Sequence, residues 1–114
     1  MRTYQDALDR LAGRRSRKLE NNTYLETRPD GSIAVRLHST DVVTYHQDGQ
    51  IVLDSGGWQT VTTKDRINKY SPFRVWQVRR IWYVCNPGAA DPQELPYRDG
   101  MRLGFTGGTP WGAA

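Results

Sequence analysis

The 114-residue chain holds one cysteine and two each of histidine, phenylalanine and methionine. With Cys85 alone no intrachain disulfide can form, which excludes a small secreted domain stapled by bridges. One cysteine and two histidines also fall short of the ligand set of a structural zinc site, so neither a metal nor another cofactor is expected. No apolar run approaches the roughly 20 residues of a membrane-spanning helix. The basic N-terminal residues are not followed by the apolar stretch of a signal peptide. A soluble protein of a reducing cytoplasm is the expectation. Phosphate-binding loops are missing too: Gly56-Gly57 has neither the Gly-Lys-Ser/Thr of nucleoside triphosphatases nor the spaced glycines of the dinucleotide fingerprint.

What is present is aromatic and basic. Hydrophobic residues make up 37% and charged residues 25%, with four Trp and six Tyr among them. Large rings let a small β domain rest its core on few side chains, and the length suits one domain. The net charge of +4 is concentrated before Leu19, where Arg2, Arg10, Arg14, Arg15, Arg17 and Lys18 face only Asp6 and Asp9. Such a cluster attracts a polyanion, or it is an ordinary solvated terminus.

Along the chain, Tyr4, Ala7, Leu8 and Leu11 keep the spacing of one helical face, Thr3 can cap it, and Gly13 can stop it. Residues 14–18 read as a basic linker. Leu19 to Arg28 and Ser32 to Leu37 form a hairpin around Pro29-Asp30-Gly31, with Ile33, Val35 and Leu37 on one face and Ala34, Arg36 and His38 on the other. Thr40 to His46 and Gln50 to Asp54 form a second hairpin around Gln47-Asp48-Gly49. Trp58 to Thr62 reads as a strand, and Thr63 begins a short helix that ends at Ser71-Pro72 and buries Ile67 and Tyr70. Arg74 to Val78 and Ile81 to Cys85 pair across Arg79-Arg80, although hairpin turns usually use Gly or Asn there. Arg98-Asp99-Gly100 can turn Tyr97 back onto Met101, Leu103 and Phe105. The fold class is α+β, mainly β: an antiparallel meander sheet or a small barrel or roll, with an N-terminal helix and one short internal helix. Residues 1–105 form the single domain, with 1–13 as the helix and 19–105 as the β-rich core, and 106–114 form a mobile tail.

The segment from Ser55 to Asn68 carries the most chemistry. Paired glycines permit a close backbone approach, a row of hydroxyls follows, and a helix N-terminus lies beside basic residues. Gly56, Gly57, Trp58, Thr60, Thr62, Thr63, Lys64 and Arg66 are therefore the candidate ligand-binding residues. The backbone, hydroxyls and cations would hold phosphate, and the indole would stack on a base. Arg14, Arg15, Arg17 and Lys18 are candidate nucleic-acid-binding residues. The structural alternative makes Gly-Gly a bulge, Trp58 core and Thr63 an ordinary cap. His38, Asp41 and His46 can be drawn as an acid–base group, but catalysis needs a convergence that sequence alone does not show, so no catalytic residue is assigned. Cys85 reads as a small buried hydrophobe.

The run Asn21-Asn22-Thr23-Tyr24-Leu25-Glu26, the run Leu37-His38-Ser39-Thr40-Asp41-Val42-Val43-Thr44, and the stretch from Gly56-Gly57-Trp58 to Ile67-Asn68 together resemble a family of small, largely uncharacterised proteins of actinobacterial phages and prophages. Trp82-Tyr83-Val84 and Tyr97-Arg98-Asp99-Gly100-Met101 extend the likeness, which covers roughly residues 18 to 102. This chain departs from that family at Arg79-Arg80, where Gly is usual. The resemblance implies a viral origin and the host cytoplasm, and it brings no catalytic residue with it. The first function expected is thus a non-enzymatic phage protein that binds an anionic ligand, nucleic acid or a nucleotide. The second is an interaction module that binds or inhibits a host factor through Tyr4, Leu8 and Leu11, and a small enzyme using His38, Asp41 and His46 ranks third. No membrane partner is expected, and the oligomeric state stays open.

Overall fold

Alternating apolar residues and tight turns build most of this molecule, a computed structural model that describes residues 1–88 and 94–104. Five strands follow one another as a meander: β1 (Ser16–Glu20), β2 (Thr23–Thr27), β3 (Ile33–Leu37), β4 (Thr40–Tyr45) and β5 (Gln50–Leu53). A late strand, β9 (Met101–Gly104), pairs antiparallel with β5 and completes a six-stranded sheet in the order β1-β2-β3-β4-β5-β9. Between β5 and β9 come helix α2 (Val61–Tyr70) and a second sheet, β6 (Arg74–Val78), β7 (Ile81–Cys85) and β8 (Leu95–Pro96). Helix α1 (Tyr4–Leu11) precedes them all. Both sheets are antiparallel and neither closes, so the open meander stands and the barrel does not.

Register explains which residues are inside. Leu25, Val35, Val43, Leu53 and Met101 align in one row across the large sheet, and Thr27, Ile33, Tyr45, Ile51 and Leu103 in the next. Those rows face the core, apart from Thr27, which is exposed at the end of β2, whereas the alternate positions Tyr24, Glu26, Arg36 and Asp41 line the opposite face. A bulge between Val35 and Arg36 puts one extra residue into β4, so the neighbours Val42 and Val43 are both buried. Ala34, expected on the polar face, is fully buried there, flanked in register by Glu26 and Thr44. Val75, Trp82 and Val84 join the same core from the smaller sheet, and Phe73 from the segment just before it.

Several expected boundaries moved. Residues 14–18 are not a linker, because Ser16 to Lys18 belong to β1 and pair with Glu26 to Tyr24. Asn21-Asn22 provides the turn, with Asn22 in the left-handed region at φ 56°, a conformation Asn tolerates. No strand runs from Trp58 to Thr62; helix α2 starts at Val61 and is capped by Thr60, whose hydroxyl accepts from the Thr63 N–H. Arg98-Asp99-Gly100 does not close a hairpin either. It carries the chain from β8, paired with β7, to β9, paired with β5. Phe105 and the expected tail of 106–114 lie outside the described residues.

Helix α1 is capped by Thr3 as expected, and its left-handed end begins at Ala12, one residue before Gly13. It docks on β2 and β3 of its own sheet, with Ala7 and Leu11 buried and Leu8 left 42% exposed. Leu11 and Tyr4 pack against the core, so two of the three residues expected to grip a host factor are used internally and Leu8 stays exposed. The apolar stripe is too narrow to stay helical without such docking.

Candidate functional site

A pocket of about 480 Å³ opens where the β3–β4 turn meets the loop after β5. Leu37, His38 and Thr40 line one side, Ser55 and Trp58 another, and Thr60, Thr62 and Thr63 come from the start of α2. Its size falls in the range of small-ligand sites. The loop is held from far along the chain: the Asp99 carboxylate accepts from the Ser55 N–H at 3.0 Å and from its hydroxyl at 2.7 Å. Burial raises the Asp99 pKa, but the bonds from Ser55 together with smaller contributions from Tyr97 and the Gly57 backbone outweigh it, and the net shift is downward.

The two glycines differ in role. Gly56 has φ +61°, and a Cβ there would lie 2.4 Å from Thr40 Oγ1. The close approach of this loop to the β3–β4 turn therefore requires glycine on two counts. Gly57 has φ +84° with open space around it, so only its backbone conformation needs glycine.

The chemistry of the pocket departs from the expected anion cradle. The Gly56 N–H donates to Asp54 Oδ1 at 2.6 Å and the Gly57 N–H to Ser55 Oγ at 3.2 Å, which occupies both backbone donors. Lys64 and Arg66 point apart. Lys64 donates to Gln77 Oε1 at 3.2 Å and lies 5.7 Å from the centre of the Trp82 ring. Arg66 donates to Thr23 Oγ1 at 2.8 Å, pairs with Asp65 and reaches Glu20 at 3.3 Å. Neither cation lines the pocket. Helical periodicity is the cause: positions two apart in a helix project about 200° from each other.

What remains at the pocket is an indole, hydroxyls and a helix start. Trp58 is 68% exposed and Val61 is 78% exposed, so the indole is not core. Thr60 and Thr62 are also exposed, while Thr63 is buried with its hydroxyl 3.1 Å from that of Thr60. The N–H groups of Val61 and Thr62 precede the first intrahelical donor of α2, the Lys64 N–H that bonds to the Thr60 carbonyl. Sequence reasoning missed Ser39, Thr40 and Ser55 as lining residues, and it weighed His38 only as an acid–base group.

The remaining candidates do not converge there. Arg17 donates to the Arg10 carbonyl at 2.8 Å and so caps the end of α1. Arg14, Arg15 and Lys18 are exposed at or beside the edge strand β1 and line no part of the Trp58 pocket. Exposed charge on such an edge discourages strand-to-strand association. His38 and His46 flank opposite ends of β4. Asp41 is held by Arg28 at 2.9 and 2.5 Å. Burial pushes the Cys85 thiol up, away from reactive thiolate chemistry. Among the described residues no group of three or more His, Cys, Asp or Glu is placed to hold a metal ion, and no helix is long and apolar enough to cross a membrane.

Fold and pocket together define a mainly β, two-sheet α+β protein with an open, hydroxyl-lined recess beside one exposed indole. Residues 1–104 match the family model described as Kyanoviridae Gp96 protein. The chain belongs to that family, a phage protein family. No curated protein and no solved structure matches it.

Proposed function

We propose that the protein is a non-catalytic phage protein, acting in the host cytoplasm, that holds a small nucleotide in the Trp58 pocket by its ring rather than by its phosphate. The observation that carries this is the pairing of an exposed indole with a recess of about 480 Å³ lined by hydroxyls, His38 and the aliphatic Leu37 and Val42, with no lysine or arginine. An exposed indole stacks on any planar ring, and hydroxyls can donate to or accept from ring and sugar atoms. A phosphate would meet only the hydroxyls and the first N–H groups of α2, which favours weak anion contact. Between the polymer and the small nucleotide, the occupied Lys64 and Arg66 favour the latter. The actinobacterial host rests on the sequence resemblance alone.

The test is a titration of the full chain with each common nucleoside monophosphate, following tryptophan emission in wild type and in Trp58→Phe. Saturable quenching that is lost in the variant and changes little between low and moderate salt is the expected result. A steep salt dependence would return the ligand to the polyanion class. No saturable change with any nucleotide, in a protein of unaltered thermal midpoint, would remove the reading.

A further inference from the structure

Among the described residues, the smaller sheet buries one face and leaves the other partly exposed, with Trp76 and Tyr83 half-buried on it. Val75, Trp82 and Val84 turn inward, so alternation sends Arg74, Trp76, Val78, Ile81 and Tyr83 outward. Trp76 and Tyr83 sit directly opposite each other in register, with ring centroids 6.0 Å apart and planes tilted by 27°. Neither ring packs against the core. The next pair out, Val78 and Ile81, is 49% and 54% exposed. One sheet surface thus presents a two-ring stack followed by an aliphatic pair.

Its charge is one-sided. Arg79 and Arg80 form the turn beyond Val78, and Arg74 lies at the other end. Among the described residues, none of these three guanidinium groups makes a hydrogen bond or an ion pair. Among the described residues, one carboxylate, Glu94, acts on Cys85 together with Arg74. Both turn arginines occupy the left-handed region, at φ 52° and 67°, where Asn-Gly is the undemanding choice. Strain retained at two adjacent cations is a mark of function more than of folding.

We propose that the outer face of the β6–β7 hairpin binds single-stranded nucleic acid, with the Trp76–Tyr83 stack taking bases and Arg74, Arg79 and Arg80 taking phosphates. A third planar ring extends an offset stack without new geometry, and every base offers one. Guanidinium groups fork onto phosphate oxygens and also lie flat on bases. A second copy of this chain fits poorly, since two-fold pairing of this face would set arginines against arginines, Arg74 of one copy toward Arg79 and Arg80 of the other. An acidic protein would satisfy the charge and leave the ring stack unexplained. The inference stands apart from the Trp58 pocket, which is read as a small-molecule site.

The experiment is fluorescence anisotropy with labelled single strands of roughly 12 nucleotides, oligothymidylate and oligouridylate, and a duplex of equal length. Wild type, Trp76→Ala, Trp58→Ala and the double variant R79N/R80G are compared from about 50 to about 200 mM salt. The single strands should bind more tightly than the duplex, and Trp76→Ala should weaken them by about tenfold or more. The turn variant should lower the slope of log affinity against log salt by about 1.4, the share of two phosphate contacts. Its thermal midpoint should hold or rise, which separates lost contact from lost fold. Comparing the DNA and RNA strands tells which polymer is preferred. No binding of either strand at the lowest salt, equal affinity for duplex, or an unchanged slope in R79N/R80G overturns the proposal. So does binding abolished by Trp58→Ala but not by Trp76→Ala, or a dimer that Trp76→Ala dissolves.

Discussion

Replacing Gly56 with alanine tests how the pocket is built, because Gly57 beside it supplies a matched control. Both glycines lie in the left-handed region, where a side chain costs roughly 1–2 kcal/mol. Alanine recovers about 0.4–1 kcal/mol of that by restricting the unfolded chain. Gly57→Ala, with nothing within 4 Å of its new Cβ, should therefore lose about 1 kcal/mol or less. At Gly56 the new Cβ would meet Thr40 Oγ1 at 2.4 Å, Cγ2 at 2.8 Å and Cβ at 3.1 Å. Rotating Thr40 cannot clear all three, since one γ atom only replaces another. Overpacking of this kind costs about 1–3 kcal/mol more, so Gly56→Ala should lose roughly 1–4 kcal/mol in total. In a chain of this size that lowers the thermal midpoint by roughly 4–16 °C. Thermal melts of both variants, with Thr40→Ala and the Thr40→Ala/Gly56→Ala double variant, complete a cycle. The double variant should recover about 1–2 kcal/mol relative to Gly56→Ala, the part due to the clash. If Gly56→Ala melts no lower than Gly57→Ala, or Thr40→Ala restores nothing, the loop does not rest on the β3–β4 turn, and the pocket as described fails with it.

Leu11→Ala removes a fully buried side chain that packs on the core and should cost about 2–5 kcal/mol. Leu8→Ala, at a position 42% exposed, should stay within about 0.5 kcal/mol; urea denaturation distinguishes them, and equal losses would mean that α1 is docked otherwise. Hydrogen bonds from Arg36, then those from Arg28, hold the Glu26 carboxyl at a pKa of about 2 against an ordinary 4.5. Because the folded value is the lower one, the stabilisation is fully present above about pH 5 and disappears as pH falls through 4.5 toward 2. With partly exposed partners it amounts to about 1 kcal/mol, so stability measured against pH should fall less steeply below pH ~5 in Glu26→Gln than in wild type, and parallel acid limbs would contradict the assignment.

The elements legible in the sequence were those set by neighbours in the chain. Gly31 and Gly49 mark their turns, alternation marks β3, the apolar run after Gly49 marks β5, and Thr3 caps its helix as its side-chain chemistry dictates. The Arg79-Arg80 hairpin was also readable, from β-rich flanks rather than from its turn. What failed depended on distant residues. Ser16 to Lys18 have linker chemistry and become a strand because β2 offers its free edge. Met101 to Gly104 leave the adjacent Tyr97 segment to pair with β5, some fifty residues earlier in the chain.

The candidate site shows the same division in sharper form. The paired glycines of the Gly-Gly-Trp loop, both at positive φ, leave a local trace in the sequence, whereas the exposure of Trp58 does not. Which cations face it is decided by helical phase. Reading Trp58 to Thr62 as a strand placed the start of α2 two residues late, which made Lys64 and Arg66 look like neighbours of the hydroxyl row. Moving the start to Val61 sends Lys64 toward Gln77 and Arg66 toward Thr23. The freed positive charge then lies on the β6–β7 turn and at the β1 edge instead of in the pocket. An electrostatic footprint predicted from sequence is therefore only as good as the element boundaries beneath it, and a two-residue error was enough to move it from one surface of this molecule to another.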